Sequence, residues 1–191
     1  MAERHRTLSP LPPGQHAVER LPVLHIGEAP LIDPRSFALS LTGEIAAPRE
    51  FALAELLERS TTVIEADFHA ATGWSVRRLR WRGARLADLL ALAQPLATAR
   101  HVLFSDGGGY DASLSLDDAL APDVLLATAL DESPLTVEHG APVRLVAPAK
   151  YGFKSVKWLA RIEVCAAPRQ GFWETRGAHA GADPWREERW A

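Results

Sequence analysis

From Phe37 to Ala166 the chain breaks into short runs of alternating apolar and polar residues, most of them closed by glycine or proline. Alternation with a period of two is the signature of strands, and it governs what this chain can fold into. "FALSLTGEI" reads as a strand turning at Thr42-Gly43, "TTVIEADF" as another, and "HVLFSDGGGYDASLSL" as two strands joined through Gly107 to Gly109. "VLLATAL", "PLTVEHGAPVRLVAP" and "SVKWLARIEVCA" continue the series. Helical spacing is confined to short windows: Phe51 to Ser60, Leu86 to Ala93 ahead of Pro95, and one turn or two after Ser115, a natural N-cap. Without a regular β-α alternation a doubly wound parallel sheet is disfavoured. The expected class is α+β, a sheet-dominated mixed fold with short helices. At 191 residues, residues 21–191 read as one domain. Residues 1–20, Pro-rich and charged, read as an extended arm or a disordered tail.

Charge and composition exclude several functions. A net charge of -3 does not suit a nucleic-acid surface. No run approaches the roughly 20 apolar residues of a membrane span, and nothing at the N-terminus reads as a leader, so a soluble, cytoplasmic protein is expected. Arg77, Arg78, Arg80, Arg82 and Arg85 cluster on one stretch. Two readings are open for them, a solvated ion-paired face or a site for an anion. The single cysteine, Cys165, ends an alternating apolar run and reads as a buried core residue. No zinc pattern, nucleophile elbow, dinucleotide fingerprint or haem-attachment motif is present.

One block is unusual. In "HGAPVRLVAPAKYGFKSVKWLARIEV", Arg144, Lys150, Lys154, Ser155 and Lys157 converge on a Tyr-Gly turn among apolar residues. Several donors at one turn suit a phosphate or other dianion. The alternative is that these side chains merely snorkel from strand edges.

These blocks also carry a family likeness. "DFHAATGWS", "YDASLSL", "HGAPVRLVAP", "YGFKSVKWL" and "GFWETRGAHAGADPW", in that order, resemble the molybdopterin-binding domain of the sulfite oxidase family, above all its short bacterial haem-free members. The resemblance covers residues 21–190. It implies a molybdopterin cofactor contacted by Arg144, Ser155 and Lys157, with Lys154 in the same turn. It further implies polar contacts from His139 and, in a variable segment, His25, and an active-site tyrosine at Tyr110. His69 reads either as a pterin contact or as a satisfied core histidine. Trp74 and Trp81 read as packing residues.

At one position the chain departs from the family. The residue after the histidine of "DFH" is, in relatives, the cysteine whose thiolate binds molybdenum; here it is Ala70, so no protein metal ligand is expected. Three readings follow: a variant oxidoreductase whose metal is held by the pterin dithiolene alone, a non-catalytic cofactor-binding, storage or interaction protein, or an empty pocket. For the enzyme, the resemblance implies oxygen-atom transfer at molybdenum on a small anionic substrate, at a mouth formed by Tyr110 and nearby arginines. Electrons would pass to a separate partner, since there is no haem. Whether the chain forms a homo-oligomer is left open.

Overall fold

The computed structural model describes residues 10–191; the first nine residues of the Pro-rich arm lie outside the described residues. From residue 10 the arm runs along the domain. There β1 (His16–Ala17) pairs in parallel with Trp74 and Ser75. The architecture is α+β and sheet-dominated, with two sheets and three short α-helices among the described residues.

The second sheet has the order β3-β2-β11-β6-β7. Its strands are β2 (Ala38–Gly43), β3 (Arg49–Ala52), β6 (His101–Ser105), β7 (Asp111–Ser115) and β11 (Arg161–Cys165). β11 runs parallel to β2 and antiparallel to β6. The first sheet is organised by β5 (Trp74–Arg85), which pairs antiparallel with β4 (Thr62–His69) and with β8 (Leu125–Leu130). Beyond β8 lie β9 (Ser133–Pro134) and β10 (Arg144–Val146).

The run "VLLATAL" is apolar without alternation because β8 is buried on both faces. Leu126 joins a large core with Leu39, Phe51, Phe104, Leu145 and Ile162, whereas its neighbours Leu125 and Ala127 join a second core around Trp81, Val76 and Val146. Phe68 and Trp74 pack against that second core and also reach the cavity described below, so the site is seated on it. Cys165 is buried, and burial pushes its thiol pKa up.

α2 (Leu86–Ala93) matches its expected bounds, and α3 (Leu116–Ala119) is capped by Ser115, whose Oγ accepts from the Asp118 amide at 3.0 Å. α1 (Leu53–Arg59) starts later than the spacing predicts. Phe51 is 1% exposed and lies opposite Leu39 in the sheet, so tertiary burial claims it for β3. The cationic block also differs from the expected continuous strands. Ahead of β11 it holds a single three-residue strand, β10, between short 3-10 turns at Val137–His139 and Gly152–Lys154. Pro142 and Pro148 flank β10 and lack the amide a ladder needs.

Candidate functional site

A cavity of about 390 Å³ opens where these turns meet the Ala70–Gly73 turn, residues 21–26 and the C-terminal residues 178–190. Of the residues singled out in the sequence, His25, Tyr110, His139, Arg144, Ser155 and Lys157 line it, and so does Ala70. The block's turns exist to deliver these side chains. Gly140 adopts φ 101°, and a Cβ there would lie 3.0 Å from the Lys157 Cβ and 3.1 Å from the Arg144 Cβ. Only glycine permits both the backbone angle and that approach.

Arg144 is 1% exposed. It donates from Nη1 to the His139 carbonyl (3.1 Å), from Nη2 to the Ser155 carbonyl (3.0 Å) and from Nε to the Leu145 carbonyl (3.3 Å). The Phe68 and Trp81 rings flank it at 5.6 and 5.2 Å. Lys157, half-buried, donates to the carbonyls of Leu24 (2.9 Å) and Glu138 (2.5 Å). Neither cation forms an ion pair with a carboxylate among the described residues. Burial lowers the Arg144 pKa to about 10; burial, then the neighbouring Arg144, lowers that of Lys157 to about 8. Burial, then Lys157 and Arg144, also lowers His139, favouring a neutral imidazole whose buried Nδ1 has no partner. The Ser155 hydroxyl accepts from the Ala147 amide at 3.1 Å and retains its own proton to donate.

Two concentrated positive charges, a hydroxyl donor and an orphaned ring nitrogen fit a group ending in a phosphate, and the aromatic and apolar lining (Phe68, Trp74, Trp158 and Trp173) fits a flat heterocycle. The donor set does not fit a metal bound by the protein. Ala70 offers a methyl group, and no cluster of metal-ligating side chains exists among the described residues.

Tyr110 donates from its hydroxyl to the Phe153 carbonyl at 2.6 Å. Burial, then the charge of Glu174, pushes its pKa up, so the phenol stays protonated. It can accept one further hydrogen bond from a cavity occupant.

Two residues of the expected set leave it. Lys154 is fully buried and pairs with Glu174 while donating to the Ser113 carbonyl at 2.8 Å, so the low-dielectric interior has given its charge an internal partner. His69, 5% exposed, sits 2.8 Å from Ser75 Oγ, and that hydroxyl donates to Gln15 Oε1 at 2.9 Å. The imidazole therefore carries its proton on Nδ1, and burial lowers its pKa. Gln15 Nε2 completes the relay by donating to the Ala70 carbonyl at 2.9 Å. Through Ser75 and Gln15, the Nδ1 side of His69 is tied to the Ala70 turn, and the residue is absent from the cavity wall.

The arginine cluster of β5 takes no part in the cavity wall. Arg78 pairs with Glu65 at 2.9 Å and Arg80 with Glu132. Besides Arg144, the arginine that lines the cavity is Arg189, which sequence reading passed over inside the charged run "REERW". Gln15 was missed likewise, within an arm whose composition speaks for disorder. Trp81 packs in the core as read, but Trp74 faces the cavity.

A model of the oxidoreductase molybdopterin binding domain family matches residues 26–173. The uncharacterized oxidoreductase YuiH of Bacillus subtilis is 36% identical over 180 residues, 94% of this chain and 91% of that protein. Sulfite oxidase of Arabidopsis thaliana is 34% identical over 182 residues, covering 76% of this chain and 46% of its own length. In fold, the chain resembles the sulfane dehydrogenase SoxCD from Paracoccus pantotrophus, with a TM-score of 0.69, 24% identity, and coverage of 84% of this chain and 45% of that one. The chain thus spans nearly all of YuiH but less than half of the sulfite oxidase and SoxCD chains.

Proposed function

Because this chain belongs to the oxidoreductase molybdopterin-binding domain family, we propose that its cavity holds a molybdopterin and serves oxygen-atom transfer on a small anionic substrate. The observation that carries the reading is Arg144, a buried guanidinium oriented by three carbonyls and paired with no acid among the described residues. A desolvated cation of this kind raises the folded state's energy until an anion arrives, so the site is poised for one. Arg144, Lys157 and Ser155 would hold the cofactor's phosphate, His139 and His25 would give polar contacts to the pterin, and the aromatic lining would exclude water. When bound, a molybdenum centre supplies two-electron oxygen-atom chemistry. Tyr110, protonated and anchored on Phe153, would orient substrate through its free acceptor position. With a methyl group at Ala70, any metal would be held by the cofactor's own dithiolene. Electrons would leave to a separate partner. No helix among the described residues is long and apolar enough to cross a membrane; a cytoplasmic location is part of the proposal.

Ala70 favours a second reading, a cofactor-binding or storage protein without turnover. The two separate by experiment. Protein from a cofactor-competent host is expected to carry close to one pterin per chain, scored by fluorescence after oxidative release, and Arg144→Gln is expected to lose it by roughly 30-fold or more in affinity. A Mo(V) paramagnetic signal and oxo-anion turnover in the native protein favour the enzyme; their appearance only in Ala70→Cys favours the non-catalytic reading. Absence of both pterin and metal would falsify the two together.

A further inference from the structure

We propose that Arg189 recognises the anionic group of the substrate, at the Ala70 turn, while Arg144 and Lys157 serve the cofactor; this rests on the cofactor reading above. Arg189 lines the same cavity, with its side chain 21% exposed. It donates from Nη1 to the carbonyl of Ala71, the residue after Ala70, at 3.0 Å. Nη2 donates to the carbonyls of Pro13 and Gly14, both at 3.2 Å. A guanidinium has five N–H donors, so two remain, together with the charge. Glu187 reaches it only at 4.0 Å and is itself 54% exposed, which leaves that charge poorly compensated. The carboxylate at the cavity wall, Asp106, has Oδ1 occupied by the amides of Gly108 (2.6 Å) and Tyr110 (3.0 Å).

The position is built rather than incidental. Gly14 adopts φ 64°, and a Cβ there would fall 2.7 Å from Arg189 Nη2, so the arm makes room for the guanidinium. From the other side, the C-terminal strap is fixed by the Ala178–Trp190 bridge, the His179 amide on the Arg189 carbonyl (3.1 Å) and the Ala191 amide on the Gly177 carbonyl (2.9 Å). Both contributing segments, residues 13–14 and 189, lie outside the 26–173 span that matches the family model. The family core therefore supplies the Arg144 end of the cavity, and this chain's own termini supply a separate cation next to the reacting position. A fork with two spare donors suits an oxyanion.

The test uses the chain purified from a cofactor-competent host and sulfate as an unreactive oxyanion, titrated by tryptophan fluorescence because Trp74 and Trp190 also line the cavity. Arg189→Gln is expected to weaken sulfate on the order of tenfold, and Arg189→Lys to recover part of the loss, with pterin content unchanged in both. Hydrogen exchange of residues 10–18 separates recognition from stapling. The inference is overturned if sulfate affinity is unchanged in Arg189→Gln. It is also overturned if Lys and Gln variants lose affinity equally, in step with loosening of the arm. Should the wild type carry no pterin, the cofactor reading fails on its own. The titration is then repeated in Arg144→Gln, where sulfate binding that still depends on Arg189 upholds this inference and its absence ends it.

Discussion

The β5 arginines and the cavity cations form two clusters of similar density in the sequence, and the structure treats them in opposite ways. Arg78 and Arg80 each meet a carboxylate, and Asp67 and Asp131 hold their backbone amides at 2.9 and 3.0 Å. Arg144 and Lys157 meet only carbonyl oxygens. A carboxylate partner cancels charge; a carbonyl partner aims it and leaves the charge for a ligand. The partner's chemistry, more than the number of cations, separates a solvated face from an anion site.

Lys154 tests this distinction most severely, because it lies in the same turn as Ser155 and Lys157 yet has the partner type of the β5 group. Its ammonium is fully buried against Oε1 of Glu174, whose Oε2 has no hydrogen-bond partner. Lys154→Met is expected to destabilise the fold by about 3–5 kcal/mol in urea unfolding, by stranding a buried carboxylate. Adding Glu174→Met should restore most of that loss, since the pair and not either charge alone is what the interior tolerates. Folded protein from either variant should keep its pterin. Loss of pterin with intact stability would move Lys154 into the cofactor set and break the comparison.

How much of this was readable beforehand follows the same line. Donor types and their order in the chain were legible: Arg144, Ser155, Lys157, His139, His25 and Tyr110 do meet at one cavity. Strand class was legible too, because alternation reports burial on one face. Partners were not. Nothing near Lys154 in sequence announces Glu174, twenty residues on in a 3-10 turn, Glu174–Arg176. Nor does the arm's composition foretell that Gln15 would close the relay from His69 to the Ala70 carbonyl. Terminal segments escape periodicity arguments because single hydrogen bonds and glycine angles, not repeating faces, hold them in place.

A second test uses pH. The charged and titratable groups that act on the Lys157 ammonium are Arg144, Glu138 and His139, and its pKa sits near 8 against an ordinary 10.5. Anion binding needs the protonated form, so affinity for a phosphate-bearing ligand should be level below about pH 8 and fall by up to roughly tenfold per unit above it. Stability of the ligand-free chain should move the other way. Between about 8 and 10.5 the unfolded chain holds the proton that the folded chain has released, so this group's contribution to stability rises with pH across that window. Parallel trends in affinity and stability would mean that Lys157 is neutralised in the fold, like the β5 arginines.

The smallest expected effect belongs to the β5 cluster itself. Arg78 is 56% and Arg80 49% exposed at the side chain, and exposed ion pairs seldom contribute more than about 1 kcal/mol. Arg78→Gln and Arg80→Gln should each cost less than that in urea unfolding. The difference should shrink further as salt rises, because screening weakens a pair whose charges already face water. Arg78 adds one complication: its φ is 56°, beside the register shift between Ala66 and Phe68, and glutamine must adopt the same angle. Arg78→Gly removes the same charge and also relieves that strain, so the margin by which it exceeds Arg78→Gln in stability measures the strain that arginine and glutamine share. Pterin content and sulfate affinity should stay at parental values in all three variants. A drop in either would show that charge on β5 reaches the cavity, and that its acid partners do not fully cancel it.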